Sequence, residues 1–390
     1  MQYVTDQKSG NNLSVLGFGC MRFPRDKAKT EQLIVAAAGA GVNYFDTAYI
    51  YSNSEATLGE ILHKNGLRDK IYLATKLPHQ KCKSYSDFDK FFQEQQSRLK
   101  TDYFDYYLIH NISELETWRK LRDMGIEKWI AEKKANGQIR RIGFSYHGAQ
   151  GGFLSILDDY DWEFCQIQYN YMDENYQAGR VGLQKAHEKG IPVIIMEPLL
   201  GGKLATGLPP EAARLFKEAD ADSSAAAWAL KWLWDQPEVT VVLSGMNSAE
   251  QLEDNLKTAD SAKHGMLSEK EAAVFAPVIK AFQEKYKVPC TGCNYCMPCP
   301  RGVNIPDCFA SYNTSYVLGL FSGLVQYVTS TGANRPDKQY SRAKNCANCG
   351  ACKSKCPQNI EIPKSLVAVK KRMEPFWFSA ALWLVQKFMS

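Results

Sequence analysis

A chain of 390 residues with 45% hydrophobic and 23% charged residues is too long for a small disulfide-stapled fold and too apolar for global disorder. It suits one α/β barrel with a small appended domain. The 47 Lys and Arg against 42 Asp and Glu leave a net charge of +5, too little to point to nucleic acid. The opening Met1-Gln2-Tyr3-Val4-Thr5-Asp6 has neither the basic nor the apolar region of a secretory signal, so reduced thiols and a cytoplasmic location are expected.

Short apolar runs rich in Val, Ile, Tyr and Phe recur along residues 1–285. They are Val15 to Gly19, Asn43 to Asp46, Ile71 to Thr75, Phe104 to His110, Ile139 to Ser145, Phe164 to Tyr169, Pro192 to Glu197 and Val239 to Gly245. Helical patterns such as Thr30 to Ala40 and Glu55 to Lys64 separate them, and eight strands alternating with helices predict a (β/α)8 TIM barrel. An open doubly wound sheet is the alternative. No G-x-G-x-x-G follows the first strand, however, and polar residues suited to chemistry fall at the ends of several strands, as barrel sites require.

Four of these residues are Asp46 in YFDTAYIY, Tyr51 five positions later, Lys76 in LATK and His110 in DYYLIH. Reducing a carbonyl by hydride needs a proton donor at the oxygen, and a free tyrosine, with pKa about 10, is a weak acid at neutral pH. A lysine ammonium beside the phenol favours its ionised form, and an aspartate paired with that lysine would hold it in place. Lys76 and Asp46 fit those parts for Tyr51. Singly, Asp46 could be a helix cap and His110 a hydrogen-bonded core imidazole.

As an ordered set at strand ends, the four resemble the aldo-keto reductases. LGFGCMR at the first strand, SEATLGEIL, IGFS at strand five and PLLGG after strand seven extend that resemblance over most of residues 13–260. It implies a small-molecule carbonyl substrate whose oxygen His110 orients, and NADP or NAD as cofactor. By the same resemblance Ser145 and Gln166 would hold the nicotinamide carboxamide, and Met196 stands where an aromatic ring often stacks. Pro198, Leu199, Gly201 and Lys203 would follow the phosphates, and Gln251, Asp254 and Asn255 the adenosine. Gly245 and Gln251 align where many relatives bind the 2′-phosphate with Lys and Arg, which leaves NAD against NADP open. Of the remaining histidines, His147 falls just beyond strand five, and aromatic loops around Phe23, Tyr49, His79, Trp118, Tyr146 and Tyr176 would shape the substrate site.

Eight of the 12 Cys lie in two tight groups after residue 289, and the charge balance changes near Tyr286. Residues 286–390 hold 13 Lys and Arg against 4 Asp and Glu, a surplus of nine, so residues 1–285 form the barrel and 286–390 a basic module. PCTGCNYCMPCPRGVNIP and NCANCGACKSKCPQNIEIP both end in C-P-x-x-[VI]-x-I-P, an internal repeat. The second has the C-x2-C-x2-C-x3-C-P spacing of four-iron clusters, in which the fourth cysteine serves the other cluster; the first has x2 before its last cysteine. Zinc held by C-x2-C pairs is the alternative. Two [4Fe-4S] clusters are expected, one on Cys290, Cys293, Cys296 and Cys356, the other on Cys346, Cys349, Cys352 and Cys299. Cys20, Cys82, Cys165 and Cys308 read as ordinary thiols, and of these only Cys308 could substitute as a ligand.

The apolar helical pattern from Cys308 to Thr329 gives this module the character of a mainly helical ferredoxin-like domain. Barrel plus module resembles the bacterial aldo-keto reductase subfamily fused to a ferredoxin-type domain. The resemblance implies an oxidoreductase; an electron-transfer reductase fed through the clusters, or a redox-sensing nucleotide binder, is the alternative. Arg335, Lys338, Arg342, Lys344, Lys353 and Lys355 predict a docking face for an acidic ferredoxin or flavodoxin. The apolar stretch Pro375 to Met389 is shorter than the roughly 20 residues that cross a bilayer, so no transmembrane segment is expected. It predicts a terminal amphipathic helix docked on the protein, with peripheral membrane contact through Trp377, Phe378, Leu382 and Trp383 as the alternative.

Overall fold

The computed structural model describes residues 1–328, 330, 331, 340–376 and 378. Two three-residue strands, β1 (Tyr3–Thr5) and β2 (Asn12–Ser14), form an antiparallel hairpin ahead of the barrel. Eight parallel strands follow, with β10 paired back to β3 to close the ring. They are β3 (Leu16–Gly19), β4 (Tyr44–Asp46), β5 (Tyr72–Leu77), β6 (Phe104–Ile112), β7 (Ile139–Tyr146), β8 (Phe164–Gln168), β9 (Val193–Met196) and β10 (Val239–Ser244). All eight coincide with the predicted runs. The hairpin is an addition that sequence periodicity misses, because three residues are too few to show alternation.

Alternation along each strand decides which side chains meet inside the ring. Tyr44, Ala74, Tyr106, Leu108, Phe164, Ile194, Val241 and Leu243 form one inner cluster, which Leu13 of the hairpin completes. The Tyr106 hydroxyl donates to Asp6 at 2.7 Å, tying that hairpin to the barrel interior. The intervening residues Phe45, Leu73, Tyr107, Ile109, Phe144, Cys165, Ile167, Val193 and Ile195 face outward into the core shared with the helices. Continuing the same alternation toward the C-terminal strand ends turns Asp46, Lys76, His110, Ser145, Gln166, Gln168 and Met196 inward. The barrel therefore changes from apolar to polar within one strand, and its polar end is the C-terminal one.

This unit comprises Met1–Leu199 and Ser223–Ala272. The second unit joins Leu200–Asp222 to the described residues from Ala273 onward, so the segment after β9 groups with the cysteine module. Its described elements are helical, with no strand among the described residues. Phe216 of helix Pro210–Ala219 meets Phe275 of helix Phe275–Lys285 at 5.8 Å between ring centroids. The cysteine repeat becomes a structural repeat: Pro306 and Pro363 each sit in the first turn of a helix, Ile305–Val317 and Ile362–Met373, where a missing N–H costs nothing. Val303, Phe309, Tyr312, Tyr327, Leu366, Val369 and Met373 form its core. Phe378 is buried against Tyr327, with ring centroids 5.8 Å apart. Arg335, Lys338, Trp377, Leu382 and Trp383 lie outside the described residues, among which no helix is long and apolar enough to cross a membrane.

Gly59 lies in helix Ser54–Lys64 against the end of helix Tyr85–Leu99, and a Cβ there would overlap the Arg98 carbonyl and come within 2.5 Å of Leu99 Cα. Backbone cannot yield as a flexible side chain can. Gly59→Ala is therefore expected to destabilise the barrel by about 1–3 kcal/mol, read as a lowered thermal midpoint.

Candidate active site

Lys76 Nζ donates to both Asp46 carboxylate oxygens, at 2.7 and 2.6 Å, and to the Thr47 carbonyl at 2.8 Å. Those three acceptors match the three donors of an ammonium. Burial pushes the Asp46 carboxyl up and the Lys76 ammonium down, each against the pull of its partner. The ammonium lies 5.1 Å from the centre of the Tyr51 ring, and His110 meets that ring edge-on at 5.8 Å. All four residues predicted as a catalytic set are thus brought together. Burial, followed by the nearby Lys76, His79 and His147, holds His110 well below the ordinary imidazole range. It is a neutral ring at physiological pH, able to hydrogen-bond without adding a second cation.

Ser145 and Gln166 are register partners on β7 and β8. The Ser145 oxygen accepts from the Asn111 N–H at 2.8 Å, which leaves its own hydroxyl hydrogen free to turn toward a ligand. Gln166 Nε2 donates to Asp46 at 3.1 Å, whereas the buried Gln166 Oε1 has no protein partner among the described residues. One donor and one orphaned acceptor side by side are what a primary amide requires, so these residues fit a nicotinamide carboxamide. Asn111 is a neighbour that sequence reading misses. It has left-handed φ of +54°, sits where the β6–β7 register breaks between Ile109 and Ile112, and buries an unpartnered Oδ1. The signal was faint: Asn after a strand tolerates that conformation, but a bulge is invisible to residue counting.

Several predicted nucleotide residues are engaged within the protein. The Gln251 side-chain oxygen accepts from Asn247 N–H at 3.0 Å, Asp254 accepts from Ser224 at 2.6 Å, and Asn255 donates to Ser244 at 2.8 Å. These bonds fasten helix Ala249–Asp260, capped by Ser248, beside the end of β10, which Gly245 follows. Met196 is half-buried at the end of β9, ahead of Pro198 and Leu199. In the second unit, Lys203 donates to the Cys290 carbonyl, and a Cβ on Gly201, at φ +68°, would overlap the Thr291 carbonyl. Trp118 and Tyr146, predicted as loop residues near the substrate, are instead fully buried in the core, Trp118 tilted against Trp162 and Tyr146 edge-on to Phe153.

In the second unit, Cys290, Cys293, Cys296 and Cys356 line one pocket with Ile305, Phe309, Ile360 and Ile362. Burial and then the neighbouring thiols of Cys290, Cys293 and Cys356 push the Cys296 thiol up to about 12. Burial also raises Cys352, with Cys299, Cys346 and Cys349 beside it. Two sets of four thiols therefore form, and each takes its fourth member from the other half of the repeat. Among the described residues no three His, Cys, Asp or Glu side chains converge on a single-ion site. Thiols ringing a pocket fit a multi-metal cluster, whose charge would offset their mutual repulsion. Cys308 contacts the Ser341 carbonyl at 3.8 Å and Tyr327 Oη at 3.9 Å, a structural placement.

Arg342, predicted as part of a surface docking face, is buried, with its guanidinium 4.8 Å over the Tyr340 ring and 3.9 Å from Glu374. Lys344 and Lys355 are exposed, and exposed Lys353 pairs with Glu361 at 2.7 Å. Asp46→Asn leaves the buried Lys76 ammonium without its carboxylate and is expected to cost about 3–5 kcal/mol in chemical denaturation. Adding Lys76→Met to that variant should recover at least half of the loss.

Residues 15–273 match the aldo/keto reductase family and residues 289–361 the 4Fe-4S dicluster domain. The oxidoreductase YqkF of Bacillus subtilis is 26% identical over 298 residues, covering 71% of this chain and 94% of that protein. A 6-dehydroglucose reductase of Novosphingobium aromaticivorans is 28% identical, over 63% of this chain and 86% of its own. An aldo-keto reductase structure from Bacillus halodurans, in its holo form, superposes with a TM-score of 0.59 at 24% identity, covering 72% of this chain and 97% of that one; the likeness is one of fold. With the family match spanning more than half of its length, this chain belongs to the aldo/keto reductase family and carries a 4Fe-4S dicluster domain after the barrel.

Proposed function

We propose that the protein reduces a small-molecule carbonyl to an alcohol with NADPH or NADH, Tyr51 giving the proton. The observation that carries this reading is the Tyr51 ring with the Lys76 ammonium at 5.1 Å and the His110 ring at 5.8 Å. A bound nicotinamide would supply the hydride. Ser145 and Gln166 would hold its carboxamide through the free hydroxyl hydrogen and the orphaned oxygen, and Met196 would pack on its ring, more loosely than an aromatic. Pro198, Leu199, Gly201 and Lys203 would follow the phosphates, with Gly245, Gln251, Asp254 and Asn255 toward the adenosine. For that role Lys203 must exchange the Cys290 carbonyl for a phosphate.

The chemistry of the residues follows. As negative charge grows on the substrate oxygen, the Tyr51 phenol transfers its proton there, and the adjacent ammonium stabilises the phenolate left behind. Asp46 keeps that ammonium in position. Neutral His110 hydrogen-bonds the same oxygen and fixes its direction. A relative named as a 6-dehydroglucose reductase also supports a carbonyl substrate. Tyr51→Phe is expected to lower kcat for carbonyl reduction at least about 100-fold, with nucleotide affinity by fluorescence titration within about twofold of wild type. Turnover near the wild-type rate would remove Tyr51 from the mechanism.

The thiol sets support two [4Fe-4S] clusters, one on Cys290, Cys293, Cys296 and Cys356, the other on Cys299, Cys346, Cys349 and Cys352. Anaerobically purified protein is expected to contain about eight irons per chain, two cubanes of four. Stoichiometric zinc without visible absorption would overturn this.

The positive surplus of the module supports a second reading, in which an acidic ferredoxin or flavodoxin feeds electrons through the clusters. With Arg342 buried and Lys353 paired with Glu361, the docking charge among the described residues falls to exposed Lys344 and Lys355. Reversing both to Glu should slow cluster reduction by ferredoxin at low salt. An unchanged rate would leave those lysines as solvated surface.

A further inference from the structure

The turn after β8 holds a hydrogen-bond chain whose direction is dictated from one end. Asp173, a carboxylate, can only accept; its Oδ2 takes a bond from Gln168 Nε2 at 2.6 Å. That fixes the Gln168 amide, whose Oε1 therefore points the other way and accepts from Gln177 Nε2 at 2.7 Å. The Gln177 amide is fixed in turn, and its Oε1 faces His147 Nδ1 at 3.1 Å. An amide oxygen cannot donate, so His147 must carry its hydrogen on Nδ1. Its Nε2 is then a bare lone pair, with no protein partner among the described residues.

The chain is built to last. Gln168 and Gln177 are 1% and 5% exposed, so a flipped amide would strand two buried polar groups. Asn170 braces the carboxylate by donating to Asp173 at 3.3 Å and to the Glu197 carbonyl at 3.1 Å. Burial, against the pull of the Gln177 bond, draws His147 down to about 4, so the ring stays neutral at physiological pH. His147 directly follows β7, two positions beyond inward-facing Ser145 at the polar end of the barrel, close enough to Lys76 to feel its charge and to His110 to influence that ring.

A fixed, neutral acceptor beside the carbonyl-orienting groups calls for a neutral donor on the ligand, since the Lys76 ammonium disfavours a cationic one. We propose that His147 Nε2 accepts a hydrogen bond from a hydroxyl next to the substrate carbonyl, which makes hydroxylated aldehydes and ketones the preferred substrate class. His147 is then a specificity-determining residue, and Gln177, Gln168 and Asp173 are positioning residues that set its tautomer. The substrate class rests on the carbonyl-reductase reading; the tautomer does not.

The test compares lactaldehyde with propanal, which lacks only the hydroxyl, using the full-length holoprotein. Wild type should favour lactaldehyde in kcat/KM. His147→Phe should reduce that preference about tenfold, the worth of one hydrogen bond left unmade. Gln177→Leu, which frees the tautomer while keeping the imidazole, should reduce it in the same direction. A preference ratio within twofold of wild type in both variants would overturn the proposal. Histidine 15N NMR separates this from the fate of the carbonyl-reductase reading: His147 should be protonated at Nδ1 only, and its Nε2 resonance should shift on addition of 1,2-propanediol. If wild type reduces neither aldehyde, the reductase reading fails while that shift still supports the hydroxyl site. A proton on Nε2, or no response to the diol, would overturn it.

Discussion

A buried ion pair organises the polar end of this barrel. Lys76 is 1% exposed and Asp46 4% exposed, and two charges removed from water must recover several kcal/mol of lost hydration per ion. They recover it through geometry: the ammonium meets three oxygen acceptors, and the carboxylate gains a further donor in Gln166. Asp46 and Lys76 stand on the neighbouring strands β4 and β5 and Gln166 on β8, so the full set of contacts exists only once the ring has closed. A pairing this costly is a poor choice for stability alone, since apolar residues could fill the same space. What it provides is a positive charge fixed beside Tyr51.

The surroundings follow from that charge. With Lys76 protonated nearby, a second cation would be unfavourable, and His110 and His147 are both held in the neutral form by burial with Lys76 adding to the effect. The site thus combines one cation, one phenol and two neutral imidazoles, an arrangement suited to receiving growing negative charge on oxygen. Gln166 links the parts: one end of its amide steadies Asp46, and the other is the orphaned acceptor that fits a carboxamide.

Much of this was legible in the residues because strand alternation is a local rule. Asp46, Lys76, His110, Ser145 and Gln166 each lie two positions beyond an inward-facing residue or on the same face, so a correct strand assignment also identifies the site. The thiol sets were legible for a similar reason, since C-x2-C spacing and the I-P repeat act over a few residues. What escaped depended on contacts distant in sequence. Arg342 reads as a surface cation, yet Glu374 and the Tyr340 ring take it into the interior. Trp118 reads as a loop aromatic, yet it packs edge-on to Tyr160 and tilted against Trp162. Lys203 and Gly201, expected along a phosphate, engage Cys290 and Thr291, so the segment after β9 is built into the loop that carries the first thiol set. Neither composition nor spacing could disclose that pairing across nearly ninety positions, an interval read directly from the residue numbers.

Nicotinamide delivers electrons in pairs with a hydrogen nucleus, whereas iron-sulfur clusters pass them singly, so the origin of the new C–H bond separates direct reduction in the barrel from reduction through the clusters. The most direct measurement supplies NADPH deuterated at C4 of the nicotinamide to the holoprotein in ordinary water with an aldehyde, and weighs the alcohol formed. With Tyr51 as proton donor and hydride transferred within the barrel, deuterium from one face of the cofactor resides on the carbinol carbon. An alcohol free of deuterium from cofactor labelled on either face, its new C–H hydrogen drawn from water, would contradict hydride transfer and place the chemistry with the clusters.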